Sequence, residues 1–268
     1  MNKFSVFPKV FLSLLVCVLF TNTAFAALTD ADLGDEFEFI CMFGSLQRVN
    51  EAIKNGANVN EFYVEIFTPL MLAAKYNPNP EVITALIKAG ADVNAKGSGG
   101  YTPLIWAIIE NSNLEVITAL INAGADVNAK DKDGDTPLMH AIWGESNFDV
   151  IIALINAGTD VNTKNDIDET PLMRAAFYNP NPEVIKALYK AGADINAKCS
   201  KEPAKGITPL MNAVISFNHN QEVIITLLEL GADAKAKDDK GGMAIDYASS
   251  RRRLRNTEAL KKLEEASR

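Results

Sequence analysis

The sequence predicts an all-α solenoid of about seven stacked helix-turn-helix units joined by turn-containing fingers. Three observations carry that prediction. The chain repeats on itself with a period of 34 residues: Asn60, Asn94, Asn128, Asn162 and Asn196 keep that spacing, and so do Gly56, Gly90, Gly124, Gly158 and Gly192. Thr-Pro-Leu recurs at 68–70, 102–104, 136–138 and 170–172, with a further copy at 208–210 after a four-residue insertion. Paired apolar residues, such as Val82-Ile83 with Leu86-Ile87, follow each polar turn at helical spacing.

Each recurring residue has a physical task. Thr caps a helix N-terminus with its hydroxyl, and Pro at the first helical position gives up an N–H that has no partner there. A short first helix therefore starts at each Thr-Pro-Leu and ends in small residues, such as Ala73-Ala74 or Ala175-Ala176, that let a neighbour approach. A polar turn follows. Asn79, Asn113, Asn147 and Asn181 are placed to cap a second helix, with Glu81, Glu115, Asp149 and Glu183 putting negative charge on the positive end of its dipole. The paired apolar residues give that helix one core face, and the recurring Gly ends it in a left-handed C-cap. Such a unit buries its apolar face only by stacking on its neighbours.

These motifs resemble the ankyrin-repeat family. Thr136-Pro137-Leu138-Met139-His140-Ala141, the Asp131–Asp135 finger before it, and Asn156-Ala157-Gly158-Thr159-Asp160-Val161-Asn162 follow the family pattern. The likeness spans essentially the whole chain after residue 27 and divides it into a cap at 28–60, repeats at 61–94, 95–128, 129–162, 163–196 and 197–235, and a cap at 236–268. Two departures stand out. Met71, Ile105, Met139, Met173 and Met211 replace the family's frequent His after Thr-Pro-Leu, so the hydrogen bonds that His makes between repeats are absent or replaced. The middle repeats also carry one residue more than the usual 33, placed in the turn between helices.

The first 26 residues read differently. Lys3 and Lys9 precede an apolar run at 10–20, broken only by Ser13, and the small-residue site Ala24-Phe25-Ala26, the pattern of a secretory signal peptide cleaved after Ala26. The run is shorter than the roughly 20 residues that span a bilayer. Export to the periplasm or beyond the cell is the expectation, with no membrane insertion after cleavage. Removing Lys3 and Lys9 and no acid shifts the formal net charge from −8 to about −10. An acidic surface disfavours nucleic acid, which binds by counterion release to a basic one. Arg251, Arg252, Arg253 and Arg255 form a local basic run that reads as a solvated face of the last helix. Cys41 and Cys199 lie five repeats apart, too far to bridge; Cys41 reads as a small buried hydrophobe and Cys199 as a loop thiol.

Catalytic chemistry finds little support. His140 and His219 occupy unrelated repeat positions with no Cys or His at metal-ligand spacing, and His140 is expected to be partly exposed. Asp131, Asp133 and Asp135 around Gly134 superficially resemble a calcium loop but lack its ligand order and distal Glu, so a turn is the better reading. Gly97-Ser98-Gly99-Gly100 reads as a flexible finger. No catalytic residue, metal or cofactor is assigned.

The resemblance implies a non-catalytic scaffold that binds a protein through its finger tips and the concave side of its first helices. Columns that vary between repeats are then the candidates. Before Thr-Pro stand Phe67, Tyr101, Asp135, Glu169 and Ile207; four residues after each Thr stand Leu72, Trp106, His140, Arg174 and Asn212; near the helix end stand Lys75-Tyr76, Ile109-Glu110, Trp143-Gly144 and Phe177-Tyr178. The partner-binding set is Phe67, Tyr76, Tyr101, Trp106, Trp143, Arg174, Phe177 and Tyr178, with Asp133, Asp135 and Glu169. The aromatics have two readings, hot spots or packing between repeats. The acids Asp131, Asp133, Asp135, Asp166, Asp168 and Glu169 suggest a partner that carries a basic patch, and the chain itself is expected to be a monomer. The apolar finger Glu61–Phe67 calls for cover, from a partner or from the N-terminal cap. Competing functions are an enzyme or metal protein with a site assembled across repeats, a self-associating scaffold, and, among uses of binding, toxin neutralisation or stress protection.

Overall fold

The structure, a computed structural model, describes residues 37–64, 66–143, 148–216, 221–249 and 251–268. The expected signal peptide and the cap Asn147 lie outside them.

Fourteen α-helices among the described residues run in antiparallel pairs, with no strand beyond an isolated bridge between Tyr63 and Phe67. They are α1 (Phe37–Phe43), α2 (Leu46–Lys54), α3 (Pro69–Tyr76), α4 (Pro80–Lys88), α5 (Pro103–Trp106), α6 (Leu114–Asn122) and α7 (Pro137–Trp143). Then follow α8 (Phe148–Asn156), α9 (Pro171–Tyr178), α10 (Pro182–Lys190), α11 (Pro209–Ile215), α12 (Gln221–Glu229), α13 (Ala244–Ser249) and α14 (Glu258–Ser267). Odd-numbered helices pack on odd-numbered neighbours and even on even, giving two helical layers beside a row of fingers. Among the described residues no helix is long and apolar enough to cross a membrane.

The punctuation operates as its chemistry requires. Thr68, Thr102, Thr170 and Thr208 each accept the backbone N–H three residues on, with Pro at the first helical position. Asn79, Asn113 and Asn181 cap the second helices by accepting from Glu81, Glu115 and Glu183 N–H. Gly90 takes φ +96° just past α4, a left-handed geometry that would strain any side chain. Between the layers, Leu70, Leu104, Leu138 and Leu172 meet Ile83, Ile117, Ile151 and Ile185 in one continuous core from α1 to α14. The last helix turns its charged residues outward, while its Ala259 and Leu263 are buried and close the core.

Three ladders of hydrogen bonds tie each unit to the next. Asn94 donates to Gly124 O at 3.1 Å and accepts from Asp126 N at 2.7 Å; Asn60 and Asn162 repeat the pattern with Gly90 and Asp92, and with Gly192 and Asp194. A second ladder runs through the turns between helices. Asn77 Nδ2 donates to Cys41 O and Gly44 O, Asn111 to Ala74 O and Asn77 O, and Asn179 to Ile142 O. A third uses lysines: Lys96 Nζ reaches Lys130 O, Lys130 reaches Lys164 O, and Lys164 reaches Lys198 O.

One unit winds differently. After α5 the backbone continues as a π-helical turn at Ala107–Asn111, closed by Ser112 N–H donating to Ala107 O. Asn77 and Asn179 are extended because each precedes a proline, which bars the residue before it from helical geometry. Ser112 stands where Pro78 and Pro180 do, so Asn111 is free to stay helical and the same number of residues is absorbed in a wider turn.

Candidate partner-binding surface

The fingers present the side chains that precede each Thr-Pro. Each is a tight turn tied at its base: Asp131 N–H donates to Asp135 O, Asn165 to Glu169 O, and Asp238 to Gly242 O. The first residue of the turn folds its side chain back over it. Asp131 Oδ1 accepts from Asp133 N and Asp135 N, both at 2.9 Å, and Asn165 Oδ1 accepts from Ile167 N and Glu169 N. Fingers are also stitched to one another, Lys132 N–H to Gly99 O and Asp166 N–H to Asp133 O. The finger at 97–100, expected to be flexible, is part of this row. Its Gly97 N–H donates to Tyr101 O, and a Cβ on Gly97 would run into the Ile66 carbonyl oxygen.

Across the odd-numbered helices the varied columns interlock. Phe67 and Tyr101 flank Trp106 with ring centroids 5.2 and 5.0 Å away, and Lys75 Nζ sits 4.4 Å above the Trp106 ring. Tyr101 also meets His140 edge-on at 5.8 Å. His140, expected to be partly exposed, is only 7% exposed: its Nε2–H donates to Asp131 Oδ2 at 2.9 Å, since a carboxylate only accepts. The last unit repeats this link with a different side chain, Tyr247 donating to Asp238. His140 Nδ1 and Trp106 Nε1 are buried without a hydrogen-bond partner among the described residues.

Beside His140, Arg174 is enclosed by acids. Its Nη1 and Nη2 donate to Asp135 at 2.6 and 2.9 Å, and its Nε and Nη2 hold Glu169 at 2.8 and 2.7 Å. Burial opposes the charge of Arg174, but hydrogen bonding to Asp135 and the Glu169 charge more than offset it and raise its pKa. Burial likewise raises the Glu169 carboxyl, against the pull of Arg174.

The acidic row is therefore largely committed. Asp131 holds its finger and His140, Asp135 and Glu169 hold Arg174, and Asp168 accepts from Lys164 Nζ and Ser200 N–H. Asp133 and Asp166 remain exposed at the tips, beside Ile167, which is 66% exposed. Asp131, Asp135 and His140 place ligand-type atoms within 4.8 Å of one another. The carboxylates of Asp131 and Asp135 already accept from N–H donors, His140 among them, and the guanidinium on Asp135 repels a metal ion, so the set is a hydrogen-bond network.

The helix ends are different. Ile109, in the π-helical turn after α5, and Trp143 and Phe177, near the ends of α7 and α9, share one sequence register, 34 residues apart. Trp143 is 62% exposed and Ile109 39%, with Phe177 half-buried and packed edge-on against exposed Tyr178 at 4.7 Å. Ile215 follows on α11, half-buried. In the same column Lys75 lies over rings, while Tyr76, one residue on, packs against Phe43 at 5.9 Å. Of the partner-binding set, then, Trp143, Tyr178 and Asp133 are exposed; Phe67, Tyr76, Tyr101, Trp106 and Phe177 are half-buried and in ring contacts; Arg174 is buried, with Asp135 and Glu169 on it. Sequence reasoning missed Ile109 and Ile167 as exposed apolar groups; the column comparison contained Ile109, and an Ile among polar finger-tip residues was a visible signal for Ile167.

Among the described residues Cys41 and Cys199 are free and buried. Cys199 is no open loop thiol: the four-residue insertion folds over it, and its Sγ donates to Ile167 O and Lys201 O. In the finger at 61–67, Phe62 and Val64 stay exposed, with no cover from the described N-terminal cap. Arg252, Arg253 and Arg255 are exposed around the buried Leu254.

The model for three ankyrin-repeat copies matches overlapping windows at 37–131, 70–165, 109–199, 138–238 and 172–266. The chain belongs to the ankyrin-repeat family. Solved ankyrin structures share its architecture. The ankyrin repeat domain of Bcl-3, a member of the IκB family, aligns with a TM-score of 0.72 and 24% identity over 86% of this chain and 99% of that one. The human ASB11 ankyrin repeat domain aligns with a TM-score of 0.70 and 22% identity over 86% and 96%. At these identities the likeness establishes the fold. No curated protein matches the sequence. Ankyrin repeats generally serve as scaffolds for protein–protein interaction, the general role this ankyrin chain shares.

Proposed function

We propose that this ankyrin chain is an exported, non-catalytic scaffold that holds a protein partner against its odd-numbered helices and finger tips. The observation that carries the reading is the stripe Ile109, Trp143 and Phe177, whose central tryptophan is 62% exposed. A soluble chain gains nothing by showing a tryptophan to water, and tryptophan is the residue type most enriched where interfaces concentrate their energy. Tyr178 extends the stripe. Phe67, Tyr101 and Trp106 act as its rigid floor, and the Asp135–Arg174–Glu169 cluster fixes the floor's polar half. Asp133 and Asp166 offer carboxylates to a basic patch on the partner. Residues 1–26 support export, and toxin neutralisation or stress protection would be uses of the same binding surface.

The test is affinity capture from cell-envelope extract, with wild-type chain and the Trp143→Ser/Phe177→Ala variant as baits, followed by direct titration of each captured protein. A partner that loses at least about tenfold in affinity for the variant supports the surface. Partners that bind both baits equally, with both folded, would overturn it.

A further inference from the structure

We propose that the occupant of this face is a basic amphipathic α-helix laid across the repeats, an inference that rests on the partner-binding reading above. Its first support is spacing. Trp143, Phe177 and Ile215 stand at one register on the neighbouring helices α7, α9 and α11, and Ile109 holds the same sequence position in the π-helical turn after α5. Helices packed side by side lie about 8–10 Å apart, so the stripe offers one apolar contact about every 10 Å. On an α-helix, side chains seven residues apart share a face and are about 10.5 Å apart. Same-face positions on a strand fall at about 6.8 or 13.6 Å and drift out of step after one repeat.

The second support is width. Asp135 and Glu169 stand one residue before Thr136 and Thr170, and Trp143 and Phe177 stand eight residues after Asp135 and Glu169 respectively. The helical rise from Pro137 to Trp143 is about 9 Å and the extended Thr before it adds about 3 Å or more, on the scale of the diameter of a helix with its side chains. A helix lying on the His140 and Arg174 column would touch the apolar stripe on one flank and the finger bases on the other.

Charge fixes the third property. On the finger flank Asp135 and Glu169 share a single cation, Arg174, and Asp133 and Asp166 are exposed beyond them. Lys164 is held by Asp168 and Lys75 lies over rings, so the cations set against Asp131, Asp133, Asp135, Asp166 and Glu169 are Arg174, the exposed Lys132 and the exposed Lys201, whose Nζ reaches Asp166 O at 2.7 Å. The flank is negative in excess, so the complementary helix carries Lys or Arg there.

The experiment uses three fluorescent peptides of about 21 residues, long enough to cross three repeats. One is a basic helix with Leu at every seventh and intervening fourth position. The second has the same composition with Leu at alternate positions, and the third has Glu in place of its Lys and Arg. Each is titrated by anisotropy against the chain, against Trp143→Ser and Trp143→Phe, and against Tyr189→Ser on α10 as an exposed control in the other helical layer, with thermal melts confirming that each variant is folded. The heptad basic peptide is expected to bind at least about tenfold more tightly than the other two. It should weaken by about tenfold or more in Trp143→Ser, recover in Trp143→Phe, and be unchanged in Tyr189→Ser. Equal binding of the alternate or acidic peptide, indifference to Trp143→Ser, or no binding at all overturns the proposal. If a Trp143-dependent partner is nonetheless captured from extract, the scaffold reading stands and only the helical, basic occupant falls.

Discussion

Arg174 Nη1 donates to Asp135 Oδ2 at 2.6 Å, joining residues 39 positions apart in the chain and one unit apart in the stack. The same guanidinium holds Glu169, and all three side chains are mostly withdrawn from solvent. Removing the cation alone strands two carboxylates, whereas removing all three charges leaves a neutral contact. Arg174→Met is expected to destabilise the chain by about 2–3 kcal/mol, and adding Asp135→Asn and Glu169→Gln to recover most of it. Urea unfolding of the four combinations measures this. A single variant as stable as wild type would mean that the cluster contributes nothing to the fold.

Asp131 and Asn165 occupy the same finger position and make the same two bonds to backbone N–H groups, one with a carboxylate and the other with an amide. The turn therefore needs an oxygen there, not a charge. Asp131→Asn should cost about 1 kcal/mol or less, the loss falling on the His140 contact, while Asp131→Ala should cost about 2–3 kcal/mol because two N–H groups and His140 lose their acceptor. Equal losses for the two variants would contradict this division.

These two clusters also mark where the sequence stops being informative. Thr caps, C-terminal Gly and Asn caps such as Asn79 act within one unit, so a single repeat displays both the residue and its partner. The exposure of Trp143 could be anticipated from its column, though not separated there from the packing of Trp106, which depends on what stands in the repeats on either side. His140 was misread because its environment comes from Tyr101 of the preceding unit and from an Asp whose turn looked self-contained. Arg174 shows the same limit: periodicity aligns equivalent residues, and the clamp joins non-equivalent ones.

Asn77 is buried and its amide donates to Cys41 O and Gly44 O, both in the first unit. Its Oδ1 accepts from Asn79 N–H. Asn77→Ala leaves buried carbonyls unpaired at the junction with α1, at an expected cost of about 2–3 kcal/mol. Hydrogen exchange should locate the loss: amides of α1 and α2 should lose protection before those of α9 to α12. Uniform loss along the chain would show that Asn77 is not the tie for the first unit.

Asp168 carries a pH dependence. Although burial raises its carboxyl, the hydrogen bond from Lys164 and the Ser200 N–H outweigh that and lower the pKa from 3.8 to about 2. A folded pKa below the unfolded one gives stability that is complete above about pH 4 and lost as pH falls through about 2. Lys164 is partly exposed and screened, so the contribution is on the order of 1 kcal/mol. Asp168→Asn should flatten this part of the stability profile between pH 4 and 2 in chemical denaturation; an unchanged slope would remove Asp168 from the account.

The chain has two tryptophans, and they should behave as opposites. Trp106 is wedged among Phe67, Tyr101 and Lys75 with its Nε1 buried; Trp143 is 62% exposed. Trp106→Ala empties space between two repeats and is expected to cost about 3 kcal/mol. Trp143→Ala removes little packing and should change stability by no more than about 0.5 kcal/mol while lowering partner affinity at least about tenfold. Fluorescence quenching by acrylamide separates the two before any partner is known. In Trp106→Phe the remaining emission comes from Trp143 and should be red-shifted and readily quenched, whereas in Trp143→Phe the remaining emission should be blue-shifted and protected. Comparable quenching in both variants would place Trp143 in the packed interior and remove the anchor on which the binding surface depends.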